Sequence, residues 1–305
     1  MGDGRWMLRA GILLNLAMIS VAAAQESGSA FKPLTLSLQP AEPESVYAPP
    51  VPPRDDEGIN QGAVHFDLSV GYASDYVFRG IEIFNPPVPQ NRANLQIDSR
   101  LSFDLGKLPH PFIDVFVNYS DSDPVQAFEE IRPSFGAEWT IRPLILSAGH
   151  NSYLYQDRDK LQTSEVWGKF QLDDSYFLHT DKPLLSPYFY SAYDYDLYNG
   201  WYFEMGISHD FVIEDTGITL TPVASISYVD GLALFETVPK QKNISGFQHY
   251  EVGLITNYSL NTIFNFPTRY GSWSIQGFVY YDDGLNNDLR AISRVWGGVG
   301  ILFKY

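Results

Sequence analysis

The chain has 305 residues, 20 Lys and Arg against 36 Asp and Glu, a net charge of −16 and no cysteine. The lack of thiols excludes disulfide scaffolds, thiolate metal sites and cysteine nucleophiles, and the acidic balance excludes a nucleic-acid partner, which needs clustered Lys and Arg against phosphates. Aromatic residues are 15% of the chain while its mean hydropathy is only −0.15, so apolar mass is present without long apolar runs, a balance that points to β structure.

Residues 1–24 read as a cleavable signal peptide. Arg5 and Arg9 form the basic region, residues 12–21 the apolar run, and Ala22-Ala23-Ala24 precede Gln25, so export with cleavage after Ala24 is expected. The apolar run is shorter than the roughly 20 residues a membrane-spanning helix needs, and no later stretch reaches that length. Residues 25–62 hold seven prolines (Pro33, Pro40, Pro43, Pro49, Pro50, Pro52 and Pro53) and few aromatics. Such a segment buries too little to offset its ordering entropy, so a disordered periplasmic tether with a polyproline patch at 49–53 is expected.

From residue 63 the pattern has period two. Leu95, Ile97, Leu101, Phe103 and Leu105 alternate with Gln96, Asp98, Arg100, Ser102 and Asp104. Ile131, Phe135, Ala137, Trp139 and Ile141 likewise alternate with Arg132, Ser134, Gly136, Glu138 and Thr140. Extending the rule predicts twelve strands, at 64–80, 93–106, 112–121, 130–141, 144–152, 163–174, 187–196, 200–212, 218–230, 247–261, 272–282 and 293–305. The strand number is even, and most connections are short on one side and longer on the other. These features predict an all-β fold, a transmembrane antiparallel up-and-down β-barrel of about 12 strands over 63–305, with apolar side chains facing lipid and polar ones a lumen. A soluble two-sheet sandwich with the apolar face inside fits the same alternation. Turn 175–186 is long for the short-turn side, and loop 197–199 is short for the other. Tyr72, Tyr76, Phe112, Tyr119, Trp139, Trp201, Phe211, Tyr228, Trp273, Tyr281, Phe303 and Tyr305 are expected in interfacial girdles.

At the C-terminal end Val295, Val299, Ile301, Phe303 and Tyr305 alternate and the sequence stops on an aromatic. This resembles the β-signal of bacterial outer-membrane barrels. The resemblance makes Val299, Ile301, Phe303 and Tyr305 a membrane-assembly signal for the barrel-assembly machinery, and implies an outer-membrane location amid lipid and lipopolysaccharide. The string VGYASDYVFRGI at 70–81 resembles the opening strand of the TorF-type porin family, with looser likeness at 186–196, 204–209 and 296–301. What the resemblance implies is an outer-membrane barrel over 63–305; it carries no catalytic residue.

Strand parity assigns ten acids to the lumen, Asp67, Asp75, Asp98, Asp104, Asp114, Glu138, Glu165, Glu204, Asp210 and Glu251, against six bases, Arg79, Arg100, Arg132, Lys169, Arg294 and Lys304. Most are expected in cross-lumen ion pairs. On a regular strand Asp75 and Arg79 stand about 13 Å apart at roughly 3.3 Å per residue, beyond direct bonding. About twelve strands enclose at most a narrow passage, and the acidic excess favours cations weakly, so a passive channel for small hydrophilic solutes is expected. A plugged structural or surface-binding barrel acting through loop 231–246 is the alternative. An outer-membrane lipid hydrolase is disfavoured. Ser208 and His209 point to opposite faces, and His150 and Ser152 stand about 6.6 Å apart along one face. No metal-ligand spacing or cofactor motif is present, and the acid pairs Asp173-Asp174 and Asp282-Asp283 read as solvated turn carboxylates.

Overall fold

The computed structural model describes residues 63–82, 93–120, 129–156, 161–180, 182–231, 244–289, 291 and 293–305. The signal peptide, the Pro-rich segment and most of loop 231–246 lie outside the described residues. The first half of the chain forms β1 (Val64–Ala73), β2 (Val77–Phe78), β3 (Ile81–Glu82), β4 (Asn94–Phe103), β5 (His110–Ser120), β6 (Glu130–Ile141), β7 (Leu144–Tyr155) and β8 (Thr163–Leu172). The second half forms β9 (Tyr188–Asp194), β10 (Gly200–Ser208), β11 (Phe211–Ile213), β12 (Ile218–Asp230), β13 (Ser245–Ser259), β14 (Ser272–Gly284) and β15 (Arg294–Lys304).

Twelve of these strands close a ring. Each pairs antiparallel with its neighbours, β1 joins β15, and β10 joins β12, so no edge of the ring is left open. Closure satisfies the backbone donors and acceptors that an open sheet would leave bare. The C-terminal residue joins the seam too, since Tyr305 and Phe66 exchange backbone hydrogen bonds of 2.8 and 2.9 Å.

The twelve predicted segments coincide with the twelve ring strands, but three stretches differ. The first strand ends at Ala73 rather than at 80. The predicted strand 200–212 breaks at His209-Asp210, and its tail β11 pairs with β12 alone, outside the ring. In the long turn 175–186, of which residue 181 lies outside the described residues, a single helical turn, Ser175–Leu178, follows Asp174. The Asp174 carboxylate then accepts from the amides of Leu184, Leu185 and Ser186 at 2.9, 2.8 and 3.4 Å. Asp173 accepts from the Ser175 hydroxyl. Both acids are buried and bonded rather than solvated, and Asp174 ties residues 184–186 to the start of the turn.

The pleat separates the two chemistries. Outward lie Ile113, Phe135, Val166, Met205, Leu254, Val279 and Val295, all exposed, whereas the inward positions beside them are polar, glycine or aromatic. Starting at Asp67, directly opposed residues around the ring are Arg100, Asp114, Ser134, Asn151, Glu165 and Asp194, every one polar. Because the strands are staggered, this row climbs from the end of the barrel where the described chain starts at residue 63 and stops at Tyr305, its terminal end, to the loop end. No helix among the described residues is long and apolar enough to cross a membrane.

Four inward glycines give the wall its second feature. A Cβ on Gly136, Gly149, Gly206 or Gly253 would stand 2.7, 2.7, 2.6 and 2.2 Å from the rings of Phe112, Trp167, Tyr188 and Tyr280 respectively. Each glycine is the direct cross-strand partner of its ring. The rings therefore lie flat against the wall, covering backbone that would otherwise be bare. Phe112 is thus a lumen residue, as is Tyr76, and neither belongs to an outer girdle. Trp139, Trp201, Phe211, Tyr228 and Trp273 are exposed on the outside.

Candidate functional site

After Ala73 the chain leaves the wall and turns into the lumen. Gly80 at φ 70° and Arg79 at φ 52° form the tip of a two-residue hairpin in which Val77 opposes Glu82 and Phe78 opposes Ile81. Positive φ at both central residues is the signature of a type I′ turn, the form whose twist suits a tight hairpin. Arg79 has a side chain and so is strained there by about 1–2 kcal/mol, a cost that its contacts must offset.

Those contacts are dense. One Arg79 guanidinium nitrogen donates to both oxygens of Glu165 at 3.0 and 2.8 Å. Glu165 also accepts from Asn151 at 2.9 Å, Tyr153 at 2.7 Å and Tyr190 at 3.4 Å, so its charge is dispersed over four partners. The guanidinium sits 4.3 Å above the Tyr202 ring and 5.0 Å above Phe78. Beside it, Arg132 stacks 4.6 Å from Phe116 and 5.2 Å from Tyr153, with its Nε 3.4 Å from Glu130. Tyr76 donates to Glu130 at 2.6 Å, and Arg294 pairs with Asp75 at 2.8 Å.

Tyr76, Phe116, Arg132, Tyr202 and Val229 are 0% exposed, so side chains fill the lumen at this level. The expected strand 64–80 thus stops early for a physical reason. Tyr76, Val77, Phe78 and Ile81 find an aromatic cluster inside the barrel, and their charged neighbours find buried partners there.

The hairpin tip rests on a second constellation. Ser227 Oγ is 2.7 Å from His249 Nδ1, and His249 Nε2 is 4.0 Å from Asp282, which also accepts from the Trp296 indole. A Cβ on Gly80 would lie 2.5 Å from the His249 ring. A serine, a histidine and an aspartate in this order invite comparison with a nucleophilic triad, but Ser227 is only 1% exposed and the tip covers the imidazole. The group serves as the seat of the hairpin. On the outer face, His150 bonds to Tyr195 at 2.7 Å and stacks on Phe135, while Ser152 contacts Ser164, so no His150–Ser152 dyad forms.

Of the residues assigned to the lumen by parity, Asp75, Arg79, Arg132, Glu165 and Arg294 hold the hairpin. Asp98, Asp114, Glu204 and Glu251 are buried on the wall, Glu204 accepting from Tyr188 and Tyr202 at 2.7 and 2.5 Å. Asp67, Arg100, Glu138, Lys169 and Lys304 are half-buried in the half of the barrel nearer the termini. Asp104 and Asp210 lie beyond their strands at the rim, exposed, Asp104 bonding Gly106 and His110 and Asp210 accepting from Thr221. On β15, Val299 and Ile301 point outward and are exposed, and Phe303 packs on Trp273 with ring centroids 4.4 Å apart. Parity omitted Glu130, although it shares the inward phase of Arg132. It gave no sign of Ser227, His249 and Asp282, which lie on three strands. Among the described residues no group of three or more acidic or imidazole side chains is arranged to hold a metal ion.

No family model and no curated protein matches the chain. Solved structures with a similar chain path include the KdgM porin, at 8% identity and TM-score 0.43 over 79% of this chain and 99% of that one. The NanC porin is similar at 10% identity and TM-score 0.44, over 79% of this chain and 100% of that one. An outer membrane channel from Pseudomonas putida F1 is similar at 7% identity and TM-score 0.44, over 80% of this chain and 96% of that one. These are likenesses of barrel architecture, and the hairpin and its partners are described from this chain's own side chains.

Proposed function

We propose that the chain is a porin-like outer-membrane channel for small hydrophilic solutes, constricted by its own inward hairpin. The observation that carries this reading is the pairing of a closed ring, apolar outside and charged inside, with an inserted segment that fills one level of the lumen. An apolar exterior is stable only against lipid, and a charged interior only where it is hydrated or paired. The opening-strand resemblance to TorF-type porins and the terminal strand, with Val295, Val299 and Ile301 exposed outward, support the same reading. They make lipid, lipopolysaccharide and the barrel-assembly machinery the partners, with the termini on the periplasmic side.

The lining residues are then the half-buried Asp67, Arg100, Glu138 and Lys169 and the wall acids above them. The excess of acids over bases gives small inorganic ions a weak cation preference. The passage is narrow because the hairpin occupies it, and conduction depends on the hairpin shifting.

Purified, heat-modifiable protein in planar bilayers under a KCl gradient tests this. Wild type is expected to conduct weakly, with a reversal potential on the cation side, and a variant with 74–82 replaced by a short Gly-Ser link is expected to conduct several-fold more. The filled lumen also favours a second reading, a permanently plugged structural barrel. Silence of both proteins would establish that reading in place of the channel.

A further inference from the structure

Below the hairpin, toward the termini, the lumen wall carries two cations that the constriction does not use. The Arg100 guanidinium lies 3.8 Å over the Phe112 ring, and Lys169 Nζ lies 5.4 Å from the centroid of Tyr188. Phe112 and Trp167 are neighbouring paved rings, 6.1 Å apart and 28° from parallel. Phe112 is buried between Gly136 and the Arg100 guanidinium, whereas Trp167, lying over Gly149, is half-buried and keeps part of its ring toward the lumen.

Among the described residues neither Arg100 nor Lys169 forms an ion pair, although Arg79, Arg132 and Arg294 each do. Acids are close by. Asp67 and Asp114 oppose Arg100 in the register, and Glu138 and Glu204 act on Lys169 electrostatically, but Glu138 takes its bond from Ser147 and Glu204 from two tyrosines. Arg100 and Lys169 also repel one another. Two half-buried like charges, left without an ion-pair partner on an aromatic floor, are relieved by an anionic group placed between them.

We propose that Arg100 and Lys169, laid on Phe112 and Tyr188, form a subsite for the carboxylate of a small solute in the half of the lumen nearer the termini. The half-buried Trp167 ring contacts the solute's carbon frame, while the two cations fix its charged end. This deepens the channel reading by naming a solute class. It is compatible with weak cation preference, because bulk ion flow follows the summed charge of the path and a carboxylate responds to the local pair.

Saturation-transfer NMR on the folded full-length protein in detergent, with benzoate as probe, tests the subsite without requiring conduction. Benzoate signal is expected, with benzyl alcohol and inorganic phosphate giving little. Arg100→Gln and Lys169→Gln should each weaken benzoate binding about tenfold, the worth of one charge-assisted hydrogen bond, with Lys107→Gln on the exposed rim as the unaffected control. Equal signal in wild type and Arg100→Gln/Lys169→Gln, or none in wild type, would overturn the subsite while leaving a measured conductance intact. Stronger binding of phosphate than of benzoate would overturn the carboxylate assignment.

Discussion

Arg79 and Glu165, 86 residues apart in sequence, meet inside the barrel with both sides of the ion pair shielded from water, at 2% and 1% side-chain exposure. Removing one partner leaves the other charge buried and uncompensated, which typically costs about 3–5 kcal/mol. Arg79→Ala and Glu165→Gln are therefore each expected to unseat the hairpin, and the double variant to cost less than their sum. The chain has no native thiol, so a single Val77→Cys reports on the seat: Val77 is 3% exposed, and labelling by a water-soluble maleimide should be slow until either partner is changed. Labelling as slow in Arg79→Ala as in the parent would refute the latch.

The hairpin tip depends on the absence of a side chain at 80. With a Cβ 2.5 Å from the His249 ring and φ at 70°, Gly80→Val is strained in backbone and blocked in space. We expect more frequent opening in bilayer recordings from Gly80→Val, and partial return toward wild-type closure in Gly80→Val/His249→Ala, which clears the clash. Identical recordings from wild type and Gly80→Val would remove the tip from the gate.

Paved and unpaved glycines should differ sharply. On Gly149 a Cβ meets the Phe135 carbonyl at 2.6 Å and Trp167 at 2.7 Å, whereas on outward-facing Gly168 nothing comes nearer than 3.9 Å. Gly149→Val is expected to lose the compact, heat-modifiable band on gels and Gly168→Val to keep it. Retention of that band by both would show that the wall yields more readily than its packing suggests.

Membrane embedding itself has a depth signature. Val279, near the middle of β14 and exposed outward, should cost about 2–4 kcal/mol as Val279→Arg, and Val212, in β11 at the rim, only about 0–1 kcal/mol as Val212→Arg. Reversible folding into lipid vesicles measures both. Equal costs would mean that the apolar belt faces something other than a bilayer.

Much of this architecture was legible in one dimension. Leu95, Ile97, Leu101 and Phe103 alternate with Gln96, Asp98, Arg100 and Ser102 because a pleated strand must present its two faces to two solvents, and the same rule located all twelve ring strands. It failed at 74–82. Tyr76, Val77 and Phe78 are strand-favouring residues that continue β1 in sequence, and nothing local distinguishes a residue facing lipid from one inserted among lumen aromatics. It misjudged Asp173 and Asp174 for a related reason: whether a turn carboxylate is solvated depends on which amides later fold back onto it.

Strand number and the inward or outward side of each strand are written in the sequence, because they follow from periods of two and from short-range composition. Tertiary structure alone decided that the lumen is filled at one level, that Arg79 reaches Glu165, and that Arg100 and Lys169 have no ion-pair partner among the described residues. Those outcomes depend on strand stagger, which brings together side chains from six or more strands according to register around a closed ring, a sum that no single segment encodes.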